Sequence, residues 1–154
     1  MIQRIQTLFL FLAGILLAGL FFYPLASFLT ADQQVLTMYA FSIQDTTDAQ
    51  WLSPISVVSV GILLLVAVLL AFTAIFLYKK RTLQARLTMV AVLLTAIWPG
   101  LVYFISWVAE EPLKASFAVE SVVVISWIAA VLLYMARRRI LIDEALVKSY
   151  DRIR

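Results

Sequence analysis

One carboxylate could carry chemistry, because it lies inside an apolar run. Glu120 falls near the start of the run at residues 115–136. A carboxylate within a membrane span is costly, which suggests proton transfer or cation binding. A structural role is the simpler alternative, since the helix dipole stabilises a negative charge near a helix N-terminus. No basic partner is evident in the same run, because Lys114 belongs to another helical face.

The remaining residue types exclude much of the usual catalytic chemistry. The chain contains no histidine and no cysteine, which removes the commonest general base, the commonest zinc ligand and any thiolate nucleophile. Hydroxyls occur throughout the apolar runs, but no base is available to activate them. They are Ser56, Ser59, Thr73, Thr88, Thr95, Ser106 and Ser126. We therefore expect a non-enzymatic protein without catalytic residues, cofactor or metal.

Pro99 is the second candidate functional position. It lies within the apolar run at residues 83–108, and a proline there frees a backbone carbonyl and kinks a helix. Pro99 and Glu120 together support the hypothesis of small-molecule, lipid or ion binding or transport. Transporters pair one broken helix with a counterpart in the other half of the chain, and no counterpart is evident.

Four apolar runs position these residues. Hydrophobic residues make up 64% of the 154 residues and the mean hydropathy is +1.02, whereas soluble domains average about 45–50% apolar residues. The predicted spans are residues 5–29, 54–78, 83–108 and 115–136, each long enough for a hydrocarbon core of ~30 Å. The first is too long for a signal-peptide core, which favours an uncleaved span. The sequence thus predicts an all-α membrane protein, a single-domain four-helix transmembrane bundle.

The basic residues collect on one side of these spans. If the N-terminus lies inside, all of the 12 basic residues except Lys114 lie inside as well. Those nearest the span ends are Lys79, Lys80, Arg81, Arg86, Arg137, Arg138 and Arg139. The positive-inside rule therefore predicts a multi-pass protein of the bacterial inner membrane with both termini cytoplasmic (N-in/C-in). The same residues predict contact with anionic lipid headgroups of the inner leaflet, and no nucleic-acid partner.

The outer loop at residues 30–53 contains a β-prone stretch. In "VLTMYAFSI", Val35, Thr37, Tyr39, Phe41 and Ile43 alternate onto one face. A short β-hairpin or a strand that caps the outer end of the bundle is the expected structure, and a hairpin must pack on the helices to be stable. Its role is either such a cap or a contact surface for a neighbouring subunit.

The tail at residues 137–154 alternates charged and apolar side chains. Arg137, Arg138 and Arg139 stop the last span, and Ile142, Leu146 and Ile153 then share one helical face. The pattern predicts a cytoplasmic amphipathic helix. It either lies on the inner leaflet or docks a cytoplasmic partner, and a frayed terminus is the third alternative.

Three segments resemble a known family. They are the opening "MIQRIQTLFLFLAG", the hairpin "YKKRTLQARL" and the ending "IDEALVKSYDRIR". Together they are similar to small four-span proteins that are classified as a domain of unknown function (number four-two-nine-three) and come mainly from Bacteroidota-type bacteria. The resemblance covers nearly the whole chain and implies an inner-membrane protein of a Gram-negative cell. It implies no activity and no site residues.

Two functional hypotheses follow from these patterns. The missing chemistry, the polarised charge and the amphipathic tail favour a scaffold or accessory subunit of a larger membrane assembly. Its partner would be another membrane protein or a second copy of the chain. The alternative is a binding or transport protein that uses the bundle interior near Glu120.

Overall fold

A computed structural model describes residues 5–31, 33–45, 51–52 and 55–151. These residues form four α-helices: α1 (Ile5–Gly19), α2 (Ile55–Phe76), α3 (Arg81–Leu113) and α4 (Ile125–Asp151). They also form five strands: β1 (Ala26–Thr30), β2 (Val35–Met38), β3 (Ile43–Asp45), β4 (Trp51–Leu52) and β5 (Ala115–Val119). A short 3-10 turn, Ser121–Val124, leads into α4. The chain is mostly helical, as predicted, and a five-stranded sheet that is larger than the expected hairpin accompanies the helices.

The four helices pack side by side, with α1 and α3 each against both α2 and α4. Their shared core contains fully buried side chains from every helix, including Leu10, Leu64, Trp98 and Leu133. Small residues allow close approach, as at Gly14 of α1, where an added Cβ would lie 2.9 Å from Phe72 Cζ of α2. Helices in apolar surroundings associate through such close contacts.

The sheet closes one end of the helices. Its strand order is β4-β3-β2-β1-β5, and all neighbouring pairs are antiparallel. Strand β1 follows α1 and pairs with β5, which connects α3 to α4. The fully buried Phe28 of β1 lies opposite Phe117 of β5, with ring centroids 6.4 Å apart. We call this region, the five strands and the helix ends that they join, the sheet end.

The opposite end carries the basic residues. Here α2 turns into α3 through residues 77–80, and α4 passes Arg137, Arg138 and Arg139. We call this region the basic end. It includes the first turns of α3, the part of α4 from Arg137 onward and the start of α1.

Two predicted spans include residues that are not helical. The helix predicted over residues 5–29 ends at Gly19, and Ala26–Thr30 is strand β1. The span predicted over residues 115–136 begins with strand β5. Both errors have one cause, since a short apolar run such as "ASFLT" or "ASFAV" suits a buried strand as well as a helix. The pairing of the two runs with each other makes them strands.

The helices α2 and α3 coincide closely with the predicted runs at residues 54–78 and 83–108, although α3 continues to Leu113. The predicted tail helix at residues 137–154 is not a separate element. It is the continuation of α4, which runs unbroken for 27 residues from Ile125 to Asp151.

The expected hairpin in the outer loop is present as β2 and β3. Met38 pairs with Ile43, and the Tyr39 N–H donates to the Ser42 carbonyl at 2.7 Å in the connecting loop. The buried face of β2 carries Leu36 and Met38, whereas Val35 is 41% exposed. The five residues predicted to share a face therefore do not form the main buried face of this hairpin.

The helix surfaces are apolar as well as the core. Three helical segments are long and apolar enough to cross a membrane, as expected of a membrane protein: Val57–Phe76, Arg81–Glu110 and Ser121–Val147. The helix α1 is also apolar, but its 15 residues extend only about 22 Å. Large exposed side chains cover the middle of the longer helices, including Leu69, Ile97 and Val131. A surface of this kind fits contact with lipid chains rather than with water.

Candidate functional site at the basic end

A buried glutamine fixes the turn between α2 and α3. The Gln84 side chain is 1% exposed, and its Nε2 donates to the Ala74 carbonyl of α2 at 2.8 Å. The Gln84 backbone N–H donates to the Lys80 carbonyl at 2.9 Å, which begins α3 directly after the turn. The last carbonyls of a helix need external donors. Gln84 supplies one of them for α2 and so holds the two helix ends together.

Two hydrogen bonds then hold the start of α3 against the distal part of α4. An Arg81 guanidinium nitrogen donates to the Asp143 carbonyl at 2.9 Å, and the Thr82 hydroxyl donates to a Glu144 carboxylate oxygen at 2.9 Å. In both pairs the two residues are far apart in the chain. Because α3 and α4 are antiparallel, these contacts also set which turns of the two helices face each other.

The predicted basic residues gather at this end. Lys79, Lys80, Arg86, Arg138 and Arg139 are exposed, and Arg81 and Arg137 are half-buried. The structure brings two of the seven into a common groove between α3 and α4, with a volume of about 330 Å³. These two are Arg86 and Arg137. A groove with two guanidinium groups suits an anion.

Glu120 lies at the other end and precedes the helix instead of lying within it. Its backbone N–H donates to the Leu25 carbonyl at 2.9 Å, and its carbonyl accepts from the Val123 N–H at 3.1 Å. It is the N-cap of the 3-10 turn, but its side chain makes no capping hydrogen bond. The start of the apolar run is therefore not helical, contrary to expectation, because β5 occupies residues 115–119. The half-buried Glu120 lines neither of the two described cavities.

Pro99 lies inside α3, which continues as a helix on both sides of it. The neighbouring Trp98 is 1% exposed, and its Nε1 donates to the Val60 carbonyl of α2 at 3.0 Å. Pro99 offers no N–H to the carbonyl four residues earlier. The described contacts thus tie this part of α3 to α2 through Trp98, and none of them shows a ligand-binding role for Pro99.

The predicted docking face is only partly described. Ile142 is 45% exposed and Leu146 is 53% exposed, one turn apart on α4. Ile153 lies outside the described residues. The two visible members therefore project from the basic end on a helix whose other faces pack against α3 and α1.

Three of the hydroxyls in the apolar runs donate to nearby backbone carbonyls. Thr73 and Thr88 donate to the carbonyls of Leu69 and Gln84, each four residues earlier, at 2.6 and 2.8 Å. Ser126 donates to the Val123 carbonyl at 2.7 Å. Hydroxyls in apolar helices commonly make such bonds. Within the described residues no group of three or more acidic, histidine or cysteine side chains could hold a metal ion.

Thr82 and Glu144 are functional candidates that the sequence did not reveal. Their contact depends on the pairing of α3 with α4, and neither residue stands out by type or spacing.

A second cavity of about 240 Å³ lies at the sheet end and was also not predicted. It is lined by Phe21, Tyr39, Ala40, Phe41, Ser42 and Gln44. Three of these six residues are aromatic, and the rings of Phe21 and Phe41 are stacked with their centroids 5.6 Å apart.

The fold and its surface define an apolar helical protein with helices that are long enough to cross a membrane, closed at one end by a sheet. The family model described as "Domain of unknown function (DUF4293)" matches residues 2–153, so the chain belongs to this family. The resemblance of the sequence to that family is thereby confirmed. No curated protein matches the chain.

Proposed function

We propose that this protein is a non-enzymatic, multi-pass subunit of the bacterial inner membrane that acts as a scaffold or accessory subunit. In this proposal α1 to α4 form a four-span bundle with both termini cytoplasmic. Besides the three longer helices, the bundle includes α1 as a span, and the apolar residues 20–25 extend α1 toward the sheet. The sheet end faces the periplasm and the basic end faces the cytoplasm.

The charge distribution over the helix ends supports this orientation. The basic end carries Arg86 and the arginines of α4, whereas Lys114 is the one basic residue at the sheet end among the described residues. The sheet end also carries Glu110 and Glu120. Basic residues close to span ends are retained on the cytoplasmic side. The length of α4 is consistent with a membrane span. The helix rises about 18 Å between Ile125 and Arg137, and the 3-10 turn before Ile125 adds to the length of the apolar segment.

The unbroken course of α4 carries the proposed accessory role. One helix joins the apolar layer to a segment beyond Arg139, and two hydrogen bonds from Arg81 and Thr82 hold that segment in place. Ile142 and Leu146 are exposed there, outside the proposed membrane. A rigid helix with apolar anchors one turn apart is a common element of helix-mediated docking. We infer that this face contacts the cytoplasmic side of a membrane-protein partner.

The binding and transport alternative near Glu120 gains no specific support. Glu120 lines neither described cavity, and its backbone belongs to the junction between sheet and helix. A lone half-buried carboxylate at the end of a strand is explained by solvent contact at the proposed membrane surface.

Crosslinking in native membranes tests the accessory role. The full chain and the variant Ile142→Asn/Leu146→Asn are crosslinked, captured and compared by quantitative mass spectrometry. We expect a stoichiometric partner with the wild type and at least a tenfold loss with the variant, because two apolar anchors are removed. Val147→Asn is the matched control, since Val147 is 44% exposed on another face of α4.

Equal recovery of the partner by the double variant and the wild type would contradict docking through this face. The absence of any specific partner with the wild type would contradict the accessory role. Loss of the partner with Val147→Asn as well would show that a general property of the segment, and not this face, is recognised.

A further inference from the structure

The groove between α3 and α4 at the basic end is a separate feature from the docking face. Its volume of about 330 Å³ lies at the lower end of the range for small-ligand sites. The residues that line it are Thr82, Ala85, Arg86, Met89, Val90, Arg137, Leu141 and Glu144. They combine two cations, one hydroxyl and one carboxylate with an apolar remainder.

The polar residues of the lining lie at more than one level of the groove. The hydrogen bond between Thr82 and Glu144 places these two residues at the same level, nearest the turn between α2 and α3. The antiparallel course of the helices then places Met89 near the level of Arg137, about 10 Å closer to the sheet. Thr82 and Glu144 therefore form the mouth toward the proposed cytoplasm, and Arg137 lies beside the apolar Met89 and Val90 toward the proposed bilayer.

Arg137 has an unsatisfied hydrogen-bond donor in this groove. Its Nε is buried and has no hydrogen-bond partner among the residues that the structure describes. A buried donor of a charged group that is left unpaired is costly, and bidentate binding of an anionic oxygen is the common remedy for a guanidinium. Glu144 is the one acidic residue in the lining, and it accepts the hydrogen bond of Thr82 at the mouth.

The apolar end of the groove continues along the outside of α3. Val90, Leu93 and Ile97 are 45%, 48% and 62% exposed and follow one another at helical spacing on one face. They form an exposed apolar stripe that leads from the groove toward the middle of the helix layer. A soluble anion would use only the two arginines. A molecule with a charged head and a hydrocarbon chain would also use Val90 and the stripe beyond it.

We propose that this groove binds an anionic phospholipid of the cytoplasmic leaflet. The phosphodiester oxygens contact Arg86 and Arg137, and an acyl chain follows Met89, Val90 and the stripe of α3. Basic pockets between membrane helices on the cytoplasmic side recognise phospholipid headgroups in this manner. The proposal depends on the membrane orientation given under the proposed function, but not on the scaffold role.

Lipid binding by the purified full chain tests the proposal. Native mass spectrometry in a non-ionic detergent measures the dissociation constants of phosphatidylglycerol and of phosphatidylcholine with the same acyl chains. We expect the anionic lipid to bind at least tenfold more tightly. For Arg86→Gln/Arg137→Gln we expect phosphatidylglycerol to bind about 30-fold more weakly, from the loss of two cations near the phosphate.

The matched control is Arg138→Gln/Arg139→Gln. Arg138 and Arg139 are exposed neighbours of Arg137 on α4 and do not line the groove. The control removes the same charge from the same end of the protein. We expect it to change the dissociation constant by less than threefold. An equal loss in both variants would overturn the proposal in favour of a diffuse surface charge.

Glu144→Gln is the second variant, and it keeps both arginines in case Arg86→Gln/Arg137→Gln does not fold. It removes the negative charge at the mouth, so we expect phosphatidylglycerol to bind several-fold more tightly. Unchanged or weaker binding would overturn the placement of the phosphate.

A water-soluble probe separates a lipid site from a site for free anions. Glycerophosphoglycerol, the deacylated form of phosphatidylglycerol, has the same phosphodiester head but no hydrocarbon chain. We expect no displacement of phosphatidylglycerol at a hundredfold excess, whereas displacement would overturn the lipid assignment. Because these assays use purified protein, their failure is distinct from failure of the accessory role, which only the crosslinking experiment measures.

Discussion

The two ends of the protein are built by different forces. At the sheet end five strands pair through their backbones, and side chains such as Phe28 and Met38 are completely buried. At the basic end individual side-chain hydrogen bonds from Gln84, Arg81 and Thr82 join the helices, and fewer of the described large side chains, such as Ile140, are completely buried there. Burial of a large apolar side chain contributes more to stability than a single hydrogen bond. We therefore expect the sheet end to be the more stable of the two ends and the basic end to be the more adaptable.

The largest effect is expected from Phe28→Ala. Phe28 is fully buried on β1, between β2 and β5, so its truncation leaves a cavity. We expect the free energy of unfolding to fall by about 3–5 kcal/mol. Denaturant unfolding in detergent, followed by tryptophan fluorescence, measures it. Phe22→Ala is the control, because Phe22 is 82% exposed, and a loss of similar size there would contradict the assigned role of burial.

A smaller loss is expected from Gln84→Ala at the basic end. The substitution leaves the Ala74 carbonyl without its side-chain donor, and we expect a cost of about 1–3 kcal/mol. The same unfolding measurement applies, with Gln34→Ala as an exposed control of the same residue type. A loss as large as that of Phe28→Ala would break the comparison, since the basic end would then be as firmly built as the sheet end.

The smallest effect is a gain at the turn between α3 and β5. Lys114 has a φ of 48°, in the left-handed region that favours glycine directly after a helix. We expect Lys114→Gly to raise the free energy of unfolding by about 1 kcal/mol. Lys114→Ala separates the backbone from the charge, because alanine loses the cation but keeps the strain. An equal gain for alanine would show that the lost charge, and not φ, is responsible.

The sequence predicted the helices better than the sheet, for a physical reason. The turn between α2 and α3 is marked by its own charges, Lys79 and Lys80, between two long apolar runs. No local residue marks the pairing of β1 with β5, whose partners are as far apart in the chain as Ala26 and Val119. An apolar run that continues from a helix into a strand hides the boundary between them.

The candidate site shows the same limit. Arg86 and Arg137 were recognised individually as residues that define the orientation of the spans. Their common groove depends on which turns of α3 and α4 face each other, and that is set by contacts such as Thr82 with Glu144. Glu120 was misplaced for a related reason, because the strand before it shifts the start of the helix.

The opposite placement of the two ends across the membrane is the central claim. The chain contains no cysteine, so single cysteines report on one site each. Gln34→Cys lies exposed at the sheet end and Lys79→Cys lies exposed at the basic end. Both variants are treated with a membrane-impermeant maleimide in spheroplasts with an intact inner membrane. We predict labelling of Gln34→Cys in intact spheroplasts and of Lys79→Cys only after permeabilisation; the reverse pattern, or labelling of both without permeabilisation, would contradict the claim.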